Sequence, residues 1–376
     1  MTDRIRDFLR LRRPEGPCLV VDLDVVRENY QSFAKALPDS RVFYAIKANP
    51  EPAVLKLLAE LGSSFDCASV AEIDMAFAAG ATADRISYGN TIKKERDVAA
   101  AFARGIRLFA VDAKEEVEKV ARAAPGAHIF CRILCAGDGA EWPLSRKFGC
   151  EPELAIEVLE HAHRLGLDAY GVSFHVGSQQ PNPEAWDLAL KAAALIFRTL
   201  SERGIQLRMV NLGGGFPAKY LKKVPAVKTY GRSIHSALRK HFGNQIPETI
   251  IEPGRGMVGD AGMIKAEVVL ISRKAADEET RWVYLDIGKF GGLAETMDES
   301  IRYPIRTEHD GDHTAPCVIA GPTCDSADVL YEKTPYELPV SLSIGDEVLI
   351  EGTGAYTQTY SAVAFNGFPP LKAYVI

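Results

Sequence analysis

Long apolar runs are missing from this sequence. No stretch approaches the roughly 18 residues that a membrane span requires, so none is expected. An excess of basic charge is missing too: 44 Lys and Arg face 50 Asp and Glu, giving a formal charge of −6. Proteins that grip nucleic acid need a basic face, and no basic cluster with interleaved aromatics supplies one, so nucleic acid is excluded as a partner. Paired cysteine motifs are absent as well. The seven cysteines, Cys18, Cys67, Cys131, Cys135, Cys150, Cys317 and Cys324, are odd in number, scattered and free of CxxC spacing. That pattern fits reduced thiols rather than a disulfide framework or a zinc knuckle, and no metal site is expected. The start, Met1-Thr2-Asp3-Arg4-Ile5-Arg6-Asp7-Phe8, alternates charge with apolar residues and lacks the apolar core of a signal peptide. A cytoplasmic protein is therefore expected.

What is present is an ordinary globular composition, 47% hydrophobic and 25% charged over 376 residues. Such a chain can bury a large core, and its length suits one (β/α) barrel plus a smaller domain. Residues 17–23 read as a buried strand and residues 25–37 as an amphipathic helix. Apolar runs then recur at residues 42–46, 64–67, 86–88, 107–111, 128–133, 169–174, 209–212 and 249–251. Helical patterns lie between them, often followed by glycine, as at Gly62, Gly80, Gly105, Gly166 and Gly204, where a left-handed residue ends a helix. Eight strands, nearly all followed by a helix, predict an α/β fold with a closed (β/α)8 barrel over residues 25–260. An open doubly wound sheet is the runner-up. Beyond residue 260 the pattern changes to short β-type runs separated by Gly, Pro and Asp turns: 264–272, 282–286, 317–320, 340–342, 347–350, 360–365 and 373–376. Residues 261–376, joined by residues 1–24, are predicted to form a β domain.

Reactive residues fall repeatedly at predicted strand C-termini, the face on which such barrels build active sites. Lys47 closes Tyr44-Ala45-Ile46-Lys47-Ala48-Asn49, where a buried amine with a depressed pKa could attack an aldehyde; a surface lysine closing a strand is the plainer reading of that stretch alone. Asp66 ends the second strand, Arg132 the fifth, and His175 follows the sixth. The seventh strand runs into Gly213-Gly214-Gly215, the eighth into Glu252-Pro253-Gly254-Arg255. Three glycines let backbone N–H groups approach an anion and Arg255 can grip it with two bonds, which points to phosphate. Glu252 could keep a heterocyclic nitrogen protonated, as pyridoxal phosphate requires, or could pair with a basic neighbour. His175 could be acid, base, stacking surface or simply packed.

Together these residues resemble the fold-type III pyridoxal-phosphate decarboxylases, in particular the ornithine decarboxylase group. The resemblance spans nearly the whole chain through YAIKAN (Tyr44–Asn49), FDCAS (Phe65–Ser69), SFHVGS (Ser173–Ser178), GGGFP (Gly213–Pro217), EPGR (Glu252–Arg255), GPTCDSAD (Gly321–Asp328) and GAYT (Gly354–Thr357). It implies an alanine-racemase-like barrel with a C-terminal β domain, in a head-to-tail homodimer with shared active sites. By resemblance, Lys47 would bond to the cofactor aldehyde, Glu252 would hold the pyridine nitrogen and His175 would stack on the ring. Ser178, Gly215, Arg255 and Tyr356 would hold the phosphate, with Gly214 and Gly254 alongside, and Asp66 and Arg132 would complete the cofactor pocket. Cys324, from the partner copy, would protonate the substrate carbon after carbon dioxide leaves, and Asp325 would grip the distal amine of a basic amino acid. Glu72 and Lys147 match a pair that bridges the dimer.

Substrate choice is the finest expectation. Diaminopimelate decarboxylases typically place glutamate after the cysteine, whereas Asp325 stands here, which favours ornithine first and lysine second. The family's second acidic contact becomes Ile287, in Asp286-Ile287-Gly288, unless Asp286 turns in beside Tyr356 to replace it. One methylene is worth only about 1–3 kcal/mol of discrimination, so dual specificity stays open. Arginine and diaminopimelate are less favoured substrates. An alanine-racemase-like enzyme would not need the Cys324-Asp325 pair, an antizyme-inhibitor-like binder would be expected to have lost the cofactor ligands, and a small pyridoxal-phosphate carrier would lack the β region. Absence of a long C-terminal extension points to a bacterial form.

Overall fold

The computed structural model describes residues 2–376 apart from residues 136 and 143–145. Helix α1 (Asp3–Arg12) precedes strand β1 (Cys18–Val21) and helix α2 (Leu23–Ala36). Strands and helices then alternate: β2 (Ser40–Ala45), α3 (Pro52–Glu60), β3 (Ser64–Cys67), α4 (Val70–Ala78), β4 (Ile86–Tyr88), α5 (Glu95–Ala103), β5 (Leu108–Val111), α6 (Lys114–Ala123), β6 (His128–Arg132), α7 (Pro152–Arg164), β7 (Asp168–Ser173), α8 (Trp186–Glu202), β8 (Met209–Asn211), α9 (Val227–Phe242), β9 (Glu248–Ile251) and the single turn α10 (Arg255–Val258). The strands β2 to β9 run parallel and close on themselves, with β2 paired to β9 at Ser40↔Thr249, Arg41↔Ile250 and Val42↔Ile251. This is the predicted eight-stranded barrel, not the open sheet.

Apolar side chains fill the barrel. Phe43, Ala110, Phe130, Met209 and Ile250 form one buried cluster donated by five different strands, as expected of a barrel whose interior is a packed core. Gly171 on β7 allows the wall to close, since a Cβ there would lie 2.2 Å from the Met209 carbonyl oxygen on β8. At the strand N-termini, Tyr170 donates a hydrogen bond to Glu248 at 2.8 Å and the Arg208 guanidinium sits over the Tyr170 ring. The reactive residues are thus left to the opposite ends.

The second unit comprises residues 1–26, 218–223 and 258–376, and the barrel unit residues 27–217 and 224–257. Its strands are β10 (Gly262–Ser272), β11 (Arg281–Leu285), β12 (Ile305–Thr307), β13 (Thr314–Ala320), β14 (Val329–Pro339), β15 (Glu347–Glu351) and β16 (Lys372–Val375). With β1 they make an eight-stranded, mostly antiparallel sheet ordered β12-β15-β10-β11-β13-β14, in which β1 joins β10 and β16. The N-terminal segment therefore adds a strand to the C-terminal β domain.

Several expected elements differ. Residues 340–342 form the turn after β14, held where Asp346 accepts the Ser343 N–H at 2.7 Å. The long strand β14 escapes the alternation rule because Glu332, Lys333, Thr334 and Pro335 are exposed in succession. Residues 360–365 are not a strand, for Ala364 and Asn366 both adopt left-handed backbone (φ 54° and 51°). The charged start forms α1, capped by Thr2 and packed through Ile5 and Leu9. Among the described residues, no helix is long and apolar enough to cross a membrane.

Candidate active site

Chain direction brings most of the sequence-selected residues to one end of the barrel. After β2 the backbone tightens into a 3-10 turn at Ile46–Ala48, clamped by the Tyr44 hydroxyl, which donates to the Asn49 carbonyl at 2.9 Å. With three residues per revolution, neighbouring side chains leave such a turn in different directions: Ile46 and Ala48 are buried, and Lys47 is exposed. The expectation of a buried amine is thereby corrected, since the strand is buried but the turn that carries Lys47 points out of it.

Acidic groups converge opposite this amine. Asp66, at the third position of β3, is buried and accepts a 3.4 Å bond from Ser87 on β4. Gly89 makes room for it, since a Cβ there would lie 1.8 Å from Asp66 Oδ1. Burial raises the Asp66 carboxyl above its ordinary range, opposed by the charges of Lys47 and Arg132 and by Ser87. Glu252, just beyond β9, is pushed up to about 7 by burial first and then by the charge of Asp66. A hydrogen bond from Asn211, and the charges of Lys47 and Arg132, act the other way.

His175 follows β7 and its Nδ1 accepts the Gly177 N–H at 3.0 Å. That bond requires a lone pair on Nδ1, so a neutral ring carries its proton on Nε2. Burial, with Arg132 and Lys47 nearby, holds the imidazole well below its usual titration range. Arg132, closing β6, lies over the Phe148 ring at 5.3 Å, and Lys147 lies over the same ring at 4.8 Å. Glu72 acts close to home, accepting the Ala68 N–H at 2.6 Å while Ser69 caps α4 by accepting the Glu72 N–H at 3.2 Å.

The glycine loop after β8 lies flat against its surroundings. At Gly214 a Cβ would stand 2.6 Å from the Glu252 carbonyl oxygen and 3.2 Å from His175 Nε2. At Gly215, with φ +102°, it would stand 2.5 Å from the Gly177 carbonyl oxygen. Arg255, almost wholly buried, donates from Nε and Nη2 to Ser178 Oγ at 3.3 and 3.2 Å. Gly254, also buried, accepts the Met257 N–H. A bare-backbone cradle beside a buried guanidinium and a hydroxyl is what a phosphate group needs.

Four further candidates belong to the second unit. Cys324 is exposed, and its N–H donates to Asn366 Oδ1 at 2.9 Å. Asp325 is exposed and accepts the Ala327 N–H. Beneath them Asp328 is buried and accepts from Lys289 N, Thr323 N and Thr323 Oγ1. Tyr356 adopts left-handed backbone at φ 56°. Asp286 accepts the Glu267 N–H at 2.8 Å, and it lines a cavity of about 590 Å³ with Ile287, Thr323 and Phe365. Two residues do not stand out in the sequence. Asn211, which bonds Glu252, is marked there only by its place just before the glycines; Asp328 closes its motif, but nothing in the string gives it three backbone and hydroxyl donors.

Residues 23–259 match the pyridoxal-binding domain of the pyridoxal-dependent decarboxylases. The chain belongs to that family. It is 38% identical to the lysine/ornithine decarboxylase of Selenomonas ruminantium over 95% of this chain and 88% of the relative. It is 34% identical to the ornithine decarboxylase of Schizosaccharomyces pombe, covering 93% and 81%. The structure of the lysine/ornithine decarboxylase of Vibrio vulnificus complexed with cadaverine superposes with a TM-score of 0.88 at 31% identity, over 100% of this chain and 99% of that one. The protein is thus a pyridoxal-phosphate-dependent decarboxylase. The residues present fit that cofactor: the glycine loop leaves bare backbone beside the buried Arg255 guanidinium and the Ser178 hydroxyl, a set that could hold a phosphate, and the carboxyl of the half-buried Glu252 could pair with a cationic ring nitrogen.

Proposed function

We propose that this decarboxylase converts L-ornithine to putrescine in polyamine biosynthesis, working as a cytoplasmic homodimer with shared active sites. The observation that carries the reading is the Gly321–Asp328 turn, which displays a thiol and a carboxylate side by side at the surface over a buried anchoring aspartate. Such a pair offers one proton donor and one fixed negative charge, the equipment needed to finish decarboxylation of an amino acid with a cationic end. The seven free thiols suit a reducing compartment.

Pyridoxal phosphate, when bound, supplies an aldehyde that captures the substrate amine and a protonated ring that accepts the electron pair left by departing carbon dioxide. Lys47 presents the amine for covalent attachment. Arg255, Ser178, Gly214, Gly215 and Gly254 hold the phosphate, joined by Tyr356, and Glu252 pairs with the ring nitrogen while Asp66 and Arg132 balance charge around it. His175, neutral and with its Nδ1 occupied, offers a flat face for stacking rather than a proton. Cys324, from the second copy, delivers a proton to the substrate carbon, and Asp325 selects the distal ammonium.

A second reading, dual activity on lysine and ornithine, is favoured by Ile287 and by Asp286. The Asp286 carboxylate is engaged by the Glu267 N–H, which leaves Asp325 as the acidic contact and loosens control of chain length. Product formation from ornithine, lysine, arginine and meso-diaminopimelate, compared as kcat/KM, tests both. Putrescine favoured by about tenfold or more, a difference of about 1.4 kcal/mol, supports the first reading. Comparable putrescine and cadaverine replace it with the second, and absence of any diamine overturns both.

A further inference from the structure

Asn211 ends β8 and is almost completely buried. Its side chain makes two bonds of opposite sense. Oδ1 accepts the Gly213 N–H at 2.9 Å, and Nδ2 donates to Glu252 Oε1. The orientation of the amide follows from its partners, because a backbone N–H demands an oxygen and a carboxylate demands a donor. The ring of contacts closes through the main chain, where the Glu252 N–H donates to the Gly213 carbonyl at 2.9 Å. Gly214, next in the loop, lies pressed between the Glu252 carbonyl and His175 Nε2.

We infer that Asn211 is a positioning residue for the cofactor, one amide that is itself fixed by the Gly213 N–H and keeps Glu252 aimed and ionised at the ring end of the site. The inference rests on the proposed role of Glu252 and extends it to the side chain that bonds that carboxylate. Glu252 faces Asp66, Lys47 and Arg132. The two cations are shared with Asp66, so the neutral donor from Asn211 is the contribution given to Glu252 alone. A hydrogen bond to a buried charged group is worth more than one between neutral groups, and losing the donor leaves the charge costly to bury. Without it the carboxyl retains its proton to higher pH and no longer pairs with a protonated ring nitrogen.

The test is a double-mutant cycle on pyridoxal phosphate affinity, read by cofactor absorbance from mildly acid to mildly alkaline pH, with circular dichroism confirming the fold. Asn211→Ala should weaken binding about tenfold or more near neutrality. It should also move the acid-side loss of affinity upward by about one pH unit, the size of one hydrogen bond to a charge. In a Glu252→Gln background the same change should weaken binding less than about threefold and shift no midpoint, because the group through which Asn211 acts is gone. Equal losses in both backgrounds would confine Asn211 to holding the glycine loop and overturn the inference, as would no loss at all. A Glu252→Gln enzyme that binds cofactor as the wild type does, at every pH, would instead overturn the role given to Glu252 and the inference with it. Should Asn211→Ala not fold, Asn211→Ser, whose shorter hydroxyl cannot reach both partners, takes its place in the cycle.

Discussion

Glu252 shows how much one side chain's chemistry depends on its surroundings. Its carboxyl is raised from an ordinary value of 4.5 to about 7, by burial first and the charge of Asp66 second. A group whose folded pKa lies above its unfolded one lends stability that is fully present below the unfolded value and lost as pH rises through the folded value. The cofactor-free protein should therefore lose stability through Glu252 between about pH 4.5 and about pH 7, by up to about 3 kcal/mol. Thermal unfolding of the apoenzyme and of Glu252→Gln across that window checks this. The variant should match the wild type at low pH and exceed it at neutral pH, and parallel curves would refute the argument. Bound cofactor should shrink the difference, since a ring cation compensates the buried charge. Cys324 shows the same dependence in reverse, for a free cysteine is usually buried and this one is exposed by its turn.

Among the loops that join the elements, two glycines with positive φ do different work. Gly215, at φ +102°, lies where a Cβ would approach the Gly177 carbonyl oxygen to 2.5 Å, whereas Gly166, at φ +78° after α7, has open space around the same position. Gly215→Ala should cost roughly 2–4 kcal/mol and abolish measurable cofactor affinity, from strain plus collision in the cradle. Gly166→Ala should cost only about 1 kcal/mol, the penalty of left-handed backbone alone, with affinity unchanged. Chemical denaturation and cofactor titration of both variants distinguish a functional glycine from a helix stop, and equal effects on affinity would show that the cradle geometry is not what matters. Both residues stand out in the sequence as glycines after periodic segments; which one lies against a carbonyl oxygen is visible only once β7 and β8 are neighbours.

For the molecule as a whole, the proposed homodimer makes a quantitative prediction. Lys47→Ala removes the covalent anchor and Cys324→Ala the proton donor, so each variant alone should retain at most a small fraction of activity. If each site draws Cys324 from a second copy, random exchange of the two variants puts half of the dimers in mixed form, with one intact site out of two. Activity should then recover to about a quarter of the wild type. Recovery measured after mixing and re-equilibration checks the sharing. No recovery, with exchange confirmed by differently tagged copies, would place Lys47 and Cys324 of one chain in the same site.

The barrel is legible in the chain alone. Eight apolar runs spaced by amphipathic helices leave few other ways to bury so many strands, and their C-termini point to Lys47, Asp66, Arg132, His175, the glycine loop and Glu252 without any tertiary information. The sheet of the second unit is legible where residues alternate and illegible in β14, where exposed Glu332, Lys333, Thr334 and Pro335 break the period. Packing in three dimensions was needed to show that Lys47 stands exposed on a 3-10 turn, that Asp286 answers the Glu267 N–H, and that Asn211 joins Gly213 to Glu252. The division has a physical reason: periodicity records which side of an element meets the core, a local property of the chain. Hydrogen-bond partners and charge states depend on atoms about 40 residues away, as Asn211 and Glu252 are, and only the closed barrel brings them together.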